Sequence, residues 1–378
     1  MRDKCMYLFV GLCWLCGLAV VPVWGQSVLE LPEPGGKTLV HSGWYARKAS
    51  EVLVDGNRLS AGSWEKRGWL PARVPGTVLT TLLENGLYPA PEFGLNNNLI
   101  PDIYEVGSDF YTYWFVRPFE VGELPAGRMV WLNFRGINYK AEIFLNGKRI
   151  NRNTHEGMFL RKTFDITPYL RTDSTNLLAV LVYPPTHVGN PNGGQGGDGQ
   201  IARNNTMQYT PGWDWIQPVR DRNTGIWDEV SITTTGPVRL EAPYIVTKVP
   251  GARDPEASVQ KDAFVHTSVE LENTSGEPVK GLLVCETNGS RLTQSVTLSA
   301  GERRTVALKP LTVKNPRLWW PNGIGEHPLY EMTLSFEIGD QVSDAERSRY
   351  GIREITSDKC PENGGRRFFV NGRKVYVA

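Results

Sequence analysis

Apolar residues recur at every second position over much of this chain, and that period constrains the fold more than any other feature. In the stretch 141–145, Ala141, Ile143 and Leu145 fall on one face, because successive side chains of a strand point to opposite sides. Asn146-Gly147 follows, a pair that accepts positive φ at both central positions of a tight hairpin turn. Segments 129–134, 176–183 and 229–234 read as strands in the same way. Further on, Val265, Thr267, Val269 and Leu271 alternate, as do Tyr330, Met332, Leu334, Phe336 and Ile338. One segment, 77–85, has helical spacing instead: Val78, Leu79, Leu82 and Leu83 share a face, and Gly86 suits the left-handed position just past a helix end. The pattern predicts an all-β protein with a short helix covering the end of a sandwich.

Turn chemistry divides the chain. Residues 38–236 form a first β-sandwich, with a break at Gly236-Pro237. Residues 240–354 hold short strands separated by clusters such as Asn273-Thr274-Ser275-Gly276, the size and rhythm of an immunoglobulin-like sandwich. Residues 355–378 read as a polar linker and a hairpin turning at Asn371-Gly372. Inside the first unit, Pro184-Pro185 opens a long irregular region running to about Gln217. Loops of that length inside a compact domain are uncommon and usually functional or disordered. The glycine run 193–199 lacks the Lys-Ser/Thr pair and the strand-to-helix setting of a phosphate cradle. The loop continues into Tyr209-Thr210-Pro211-Gly212-Trp213-Asp214-Trp215, too aromatic for solvent-facing filler.

The first 25 residues have a charged start (Arg2, Lys4), an apolar run from Met6 to Val23, and Val23-Trp24-Gly25 as a cleavage site. That is the layout of a secretory signal peptide, so the chain is expected to be exported, secreted or periplasmic, with no stable membrane span after cleavage. Removing it leaves Cys285 and Cys360, which do not make a disulfide framework. No CxxC or HExxH occurs and histidines number five, so neither a metal nor another cofactor is expected. A formal net charge of +1 without a basic stripe gives no reason to expect nucleic acid as a partner. Twelve tryptophans are many for this length, and indole is a good stacking face for sugar rings.

Four stretches, in order, carry a resemblance. They are Val74-Pro75-Gly76-Thr77 running through Asn85-Gly86-Leu87-Tyr88-Pro89 to Gly94-Leu95-Asn96-Asn97; Gly212-Trp213-Asp214-Trp215; Asp221-Arg222-Asn223-Thr224-Gly225-Ile226-Trp227; and Leu318-Trp319-Trp320-Pro321-Asn322-Gly323. Together they resemble the N-terminal half of glycoside hydrolase family 2, nearest its β-mannosidase and exo-β-D-glucosaminidase branch. The resemblance implies a jelly-roll sugar-binding domain, an immunoglobulin-like sandwich and then a (β/α)8 barrel that carries both catalytic carboxylates of a retaining mechanism. The segment 369–377 looks like the hairpin entering that barrel, so the chain is expected to lack the catalytic residues and to be inactive alone. A stand-alone carbohydrate-binding or adhesion module is the competing reading.

The resemblance also implies where a sugar is met: a loop of the first domain reaches the barrel mouth. Its matching positions are Trp213, Asp214 and Trp215. An indole face suits the C–H face of a pyranose, and a carboxylate accepts from adjacent hydroxyls. Asn97 and Asp102, in the polar loop 94–102, and Arg203 and Asn205, just before the aromatic motif, are further candidates. The expected partner is an oligosaccharide or glycoside. Asp221, Arg222 and Asn223 read as fold-stabilising turn contacts, and Trp319 and Trp320 as locking the second sandwich or its junction with the barrel.

Overall fold

The computed structural model describes residues 28–190, 202–207 and 218–376. The expected signal peptide, the glycine run and Trp213, Asp214 and Trp215 lie outside the described residues. In the first sandwich, the larger sheet runs in the order His155–Glu156, Lys140–Leu145, Asn176–Tyr183, Tyr113–Val121, Trp44–Lys48, Leu70–Ala72, with two short strands attached. Facing it is a sheet of Lys162–Asp165, Met129–Phe134, Val230–Thr235 and Lys37–Leu39. Between them lies a core that includes Phe115, Leu132, Phe134, Ile143, Val180 and Ile232. The expected strands 129–134 and 176–183 form with those bounds.

Tyr113–Val121 departs from clean alternation because most of it is buried on both faces. Its second face packs into an outer apolar layer beside helix α1 (Gly56–Ala61), which itself lies over Asn176–Tyr183 and Lys140–Leu145. Leu59 of α1 joins Trp69, Trp114, Phe144, Leu177 and Ala179 in a smaller apolar cluster on the outer side of the sheet. Helix α2 (Val78–Glu84) is the one expected from the sequence. Thr77 and Thr80 exchange side chain-to-backbone hydrogen bonds as a capping box, an arrangement worth about 1 kcal/mol at the cap. Val78, Leu79 and Leu82 are buried, each stabilising by roughly 1.5–3 kcal/mol. Gly86 takes φ +69 just beyond the helix, which only glycine adopts without strain.

The second sandwich pairs Val238–Lys248, Ala263–Asn273, Arg303–Ala307 and Leu311–Val313 against Ser290–Leu298, Val279–Thr287, Tyr330–Ile338 and Gln341–Tyr350. Its core includes Val269, Leu283, Cys285, Leu334, Phe336 and Trp320. Cys285 and Cys360 are both free. The eleven-residue strand Val238–Lys248 is longer than the turn signals suggested. A bulge between Glu241 and Tyr244, with Ala242 at φ +48, shifts the register and breaks the alternation at that point. A three-stranded sheet, Ile355–Lys359, Arg366–Val370 and Arg373–Val375, ends the described chain. Trp319 bridges to it: Asn371 donates to its carbonyl at 3.0 Å, and the Arg353 guanidinium lies 4.2 Å from its ring centroid.

The sandwiches are joined without a linker. Gly236 N–H donates to the Ser343 carbonyl at 2.6 Å, and Ser343 Oγ bonds both the amide and the carbonyl of Val238. Arg239 of the second sandwich stacks 3.9 Å from the ring centroid of Trp131 in the first. Among the described residues, no helix is long and apolar enough to cross a membrane.

Candidate functional site

The loop that carries the aromatic motif leaves the larger sheet after Tyr183 and returns at Pro218, and the structure describes how both of its ends are held. The residue that ties them together is Arg222. Its Nη1 and Nη2 donate to the two oxygens of Asp102 at 2.8 and 2.9 Å. The remaining donors reach the carbonyls of Val188 at 3.0 Å, Gly189 at 3.1 Å and Val219 at 3.1 Å. One guanidinium thus grips the outgoing strand of the loop, the returning strand and the 94–102 loop at once. Its planar fork of five donors is what makes three such attachments possible. Arg222 is 1% and Asp102 1% exposed, so the pair is a buried, bidentate one in which both partners are satisfied.

Asp102 therefore serves differently from the sugar contact expected of it. Both carboxylate oxygens are taken by arginine, one also accepts from Tyr104 N–H at 2.9 Å, and no carboxylate surface is left for a ligand. Asn97 is likewise enclosed. Its Nδ2 donates to the Pro218 carbonyl at 3.3 Å, and its own carbonyl accepts from Arg220 Nε at 2.9 Å. Arg220 also reaches Asp102 at 3.2 Å and Asn98 at 3.1 Å. The polar loop 94–102 is thus a buttress under the returning end of the aromatic loop. Arg203 and Asn205 are placed beside the outgoing end, both exposed, with Asn204 half-buried between them. There Asn204 Oδ1 accepts from His187 N–H at 2.6 Å and Arg203 N–H donates to the His187 carbonyl at 3.4 Å.

Asp221 completes the support. Its Oδ2 accepts from Leu79 N–H at 2.7 Å at the start of α2, and Oδ1 accepts from Asn223 N–H at 2.8 Å. Complete burial pushes its carboxyl up to about 6, against the pull of those amides and of Arg222. Burial together with the nearby Asp221 and Asp102 charges also raises the Tyr111 phenol, whose hydroxyl donates to the Pro101 carbonyl. Arg222 and Asn223 take φ +54 and +58, a left-handed pair that turns the chain back. Asn138 Nδ2 closes that turn on the Arg222 and Asn223 carbonyls at 2.8 and 2.9 Å. The stabilising role read for 221–223 matches this geometry, while the parts played by Arg220 and Asn138 were invisible in the sequence. No group of three or more His, Cys, Asp or Glu placed to hold a metal occurs among the described residues.

Residues 47–228 match the profile described as the glycosyl hydrolase 2 galactose-binding domain-like family, and residues 253–353 match that of glycosyl hydrolases family 2. The chain belongs to glycoside hydrolase family 2. It carries that family's N-terminal sugar-binding and immunoglobulin-like domains. It is 40% identical to a mannosylglycoprotein endo-β-mannosidase of Lilium longiflorum, over 90% of this chain and 36% of the relative. It is 30% identical to an exo-β-D-glucosaminidase of Streptomyces avermitilis, over 90% of this chain and 35% of the relative. The crystal structure of the Amycolatopsis orientalis exo-chitosanase superposes with a TM-score of 0.73 at 27% identity, covering 90% of this chain and 36% of that one. The chain thus spans about a third of the length of the relatives it matches, a region that does not include the catalytic barrel.

Proposed function

We propose that this chain is the N-terminal, non-catalytic part of an exported retaining β-glycosidase acting on terminal β-mannosides or β-glucosaminides of oligosaccharides. The observation that carries this reading is the Arg222–Asp102 clamp, which holds both ends of the loop bearing Trp213-Asp214-Trp215. A buried, fully satisfied ion pair spent on a loop anchor makes sense where the loop must hold a defined shape. In the proposed enzyme that loop supplies one wall of the sugar pocket, with Trp213 under the ring and Asp214 on its hydroxyls. The acid and the nucleophile come from the barrel. The relatives named exo-β-D-glucosaminidase support terminal β-glucosaminides, and those named β-mannosidase B, with the Lilium endo-β-mannosidase, support β-mannosyl linkages. The charged start and apolar run of the first 25 residues, which have the layout of a secretory signal peptide, are the sequence feature that supports export.

The test is turnover of p-nitrophenyl β-mannoside and β-glucosaminide by a protein that joins these domains to the catalytic region present in the relatives. Trp213→Ala and Asp214→Asn should each lower kcat/KM by at least about tenfold, roughly 1.4 kcal/mol of transition-state binding. The 378-residue chain alone should give none. Turnover by the chain alone, or unchanged kcat/KM in both variants, would sink this assignment.

A further inference from the structure

The outer face of the larger sheet in the first sandwich is covered over only part of its length. Along Lys140–Leu145 and Asn176–Tyr183, the residues turned away from the main core are Phe144, Leu177, Ala179 and Leu181 at one end. These lie under α1. The same face continues with Glu142, Lys140 and Tyr183, and there α1 no longer reaches. Register places Glu156, Lys140 and Tyr183 side by side on three adjacent strands, about 4.8 Å apart. Over this row opens a cleft of about 530 Å³, walled by Pro184, Pro185, Ser108, Thr112, Thr154 and Thr186. A second cleft of about 370 Å³ shares Thr154 and Glu156 with it and runs on past Asn151, Asn153 and Leu160.

We propose that these two clefts form one groove that binds the continuation of a neutral oligosaccharide substrate, beyond the sugar held by the aromatic loop. Each volume lies within the range of ligand sites, and two clefts sharing a wall suit a chain of sugars rather than a compact metabolite. The lining has the parts that sugar recognition uses: a half-exposed tyrosine, rigid prolines, several hydroxyls, amides and carboxylates. Its charges balance, with Asp109, Glu142 and Glu156 against Lys140, Arg152 and Lys162. A balanced groove discriminates against both polyanions and polycations. Among the described residues Lys140 meets Glu156 at 3.2 Å and Glu142 meets Arg149 at 3.6 Å; these are partly exposed pairs that hydroxyl groups can open at little cost. The groove is also lined by Pro184, Pro185 and Thr186, the first residues of the loop that carries the aromatic motif.

This inference rests on the β-mannoside branch of the proposed glycosidase reading, whose oligosaccharides are neutral, but is tested separately. The 378-residue chain is titrated with β-1,4-mannotetraose and tetra-N-acetylchitotetraose, with oligogalacturonate and fully deacetylated chitotetraose as charged counterparts, and amide shifts map the site. At least one neutral tetrasaccharide should bind, with shifts at 140–142, 154–156 and 183–186 and little dependence on salt. Tyr183→Ala and Glu142→Gln, both at partly exposed positions, should each weaken it at least about tenfold. No neutral binding, shifts centred elsewhere, or binding confined to charged, salt-sensitive oligomers would overturn the groove. In the joined enzyme the same two variants should raise KM for the tetrasaccharide and leave p-nitrophenyl monosaccharide turnover unchanged. A joined enzyme that fails on every p-nitrophenyl sugar while the chain still binds a tetrasaccharide would sink the glycosidase reading alone.

Discussion

The two sandwiches handle charge in opposite ways. The first encloses an acid–base pair, Asp102 with Arg222, and beside it Asp221, all at 1% exposure or less. The second keeps its acid–base pairs in a half-exposed ladder, where Arg303 meets Glu241, Glu270 and Glu272 at 2.7–3.2 Å. Its enclosed Arg253 donates instead to the carbonyls of Pro250, Lys261 and Asp262. A buried pair is a poor source of net stability, since desolvation offsets most of its attraction, yet removing one partner is severe. A surface ladder is tolerant of change and weak. The difference teaches that the first sandwich has one end that must keep a particular loop arrangement, whereas the second is held mainly by its apolar core.

The strongest way to break that comparison is Arg222→Met. It leaves Asp102 enclosed without its bidentate partner and should cost about 3–5 kcal/mol in urea unfolding; a loss under about 1 kcal/mol would remove the distinction. Next is pH. Burial raises Asp221 and Asp344, one in each sandwich, to about 6 from an unfolded value near 3.8. Between those values the folded chain holds protons that the unfolded chain has released. Stability from these two groups therefore falls as pH rises from about 4 to about 6, and the full penalty is present above 6. Asp221→Asn and Asp344→Asn should each flatten the pH profile, by up to about 3 kcal/mol across that window. Arg239→Gln removes the contact with Trp131 and should cost about 1 kcal/mol. It should also separate unfolding of the two sandwiches, followed by tryptophan fluorescence. Smallest of all, Arg303→Ala should cost less than about 1 kcal/mol and be masked by salt.

What the sequence showed plainly was local. The alternation at 141–145 and 330–338 and the helical face of α2 with its glycine stop reappear in the structure because each is decided within a few residues. The bulged strand 238–248 escaped, because an extra residue at Ala242 puts its two halves out of phase. The clamp escaped for a different reason. Arg222 and Asp102 are 120 positions apart, and nothing in either neighbourhood marks one as the other's partner. Asp102 and Asn97 were read as candidate sugar contacts because they lie in the polar loop 94–102; that loop is instead wired internally to Pro218 and Arg220. The outer groove was equally hidden, since Lys140 and Glu142 look like any solvent-facing residues of a strand.

The junction bears on how such proteins can be recombined. A Cβ added at Gly35 would sit 2.8 Å from the Ala345 Cβ, and one at Gly236 would sit 2.7 Å from Ser343 Oγ. Both are closer than real Cβ contacts allow, so neither surface has slack to accept a stranger. A chimera that takes its first sandwich from one relative and its second from another cannot simply be cut at Gly236-Pro237. It has to carry Gly35, Trp131, Gly236, Arg239 and the 343–345 stretch as a single inherited set. The boundary that looks like the natural place for scissors is, in breeding terms, a linkage group.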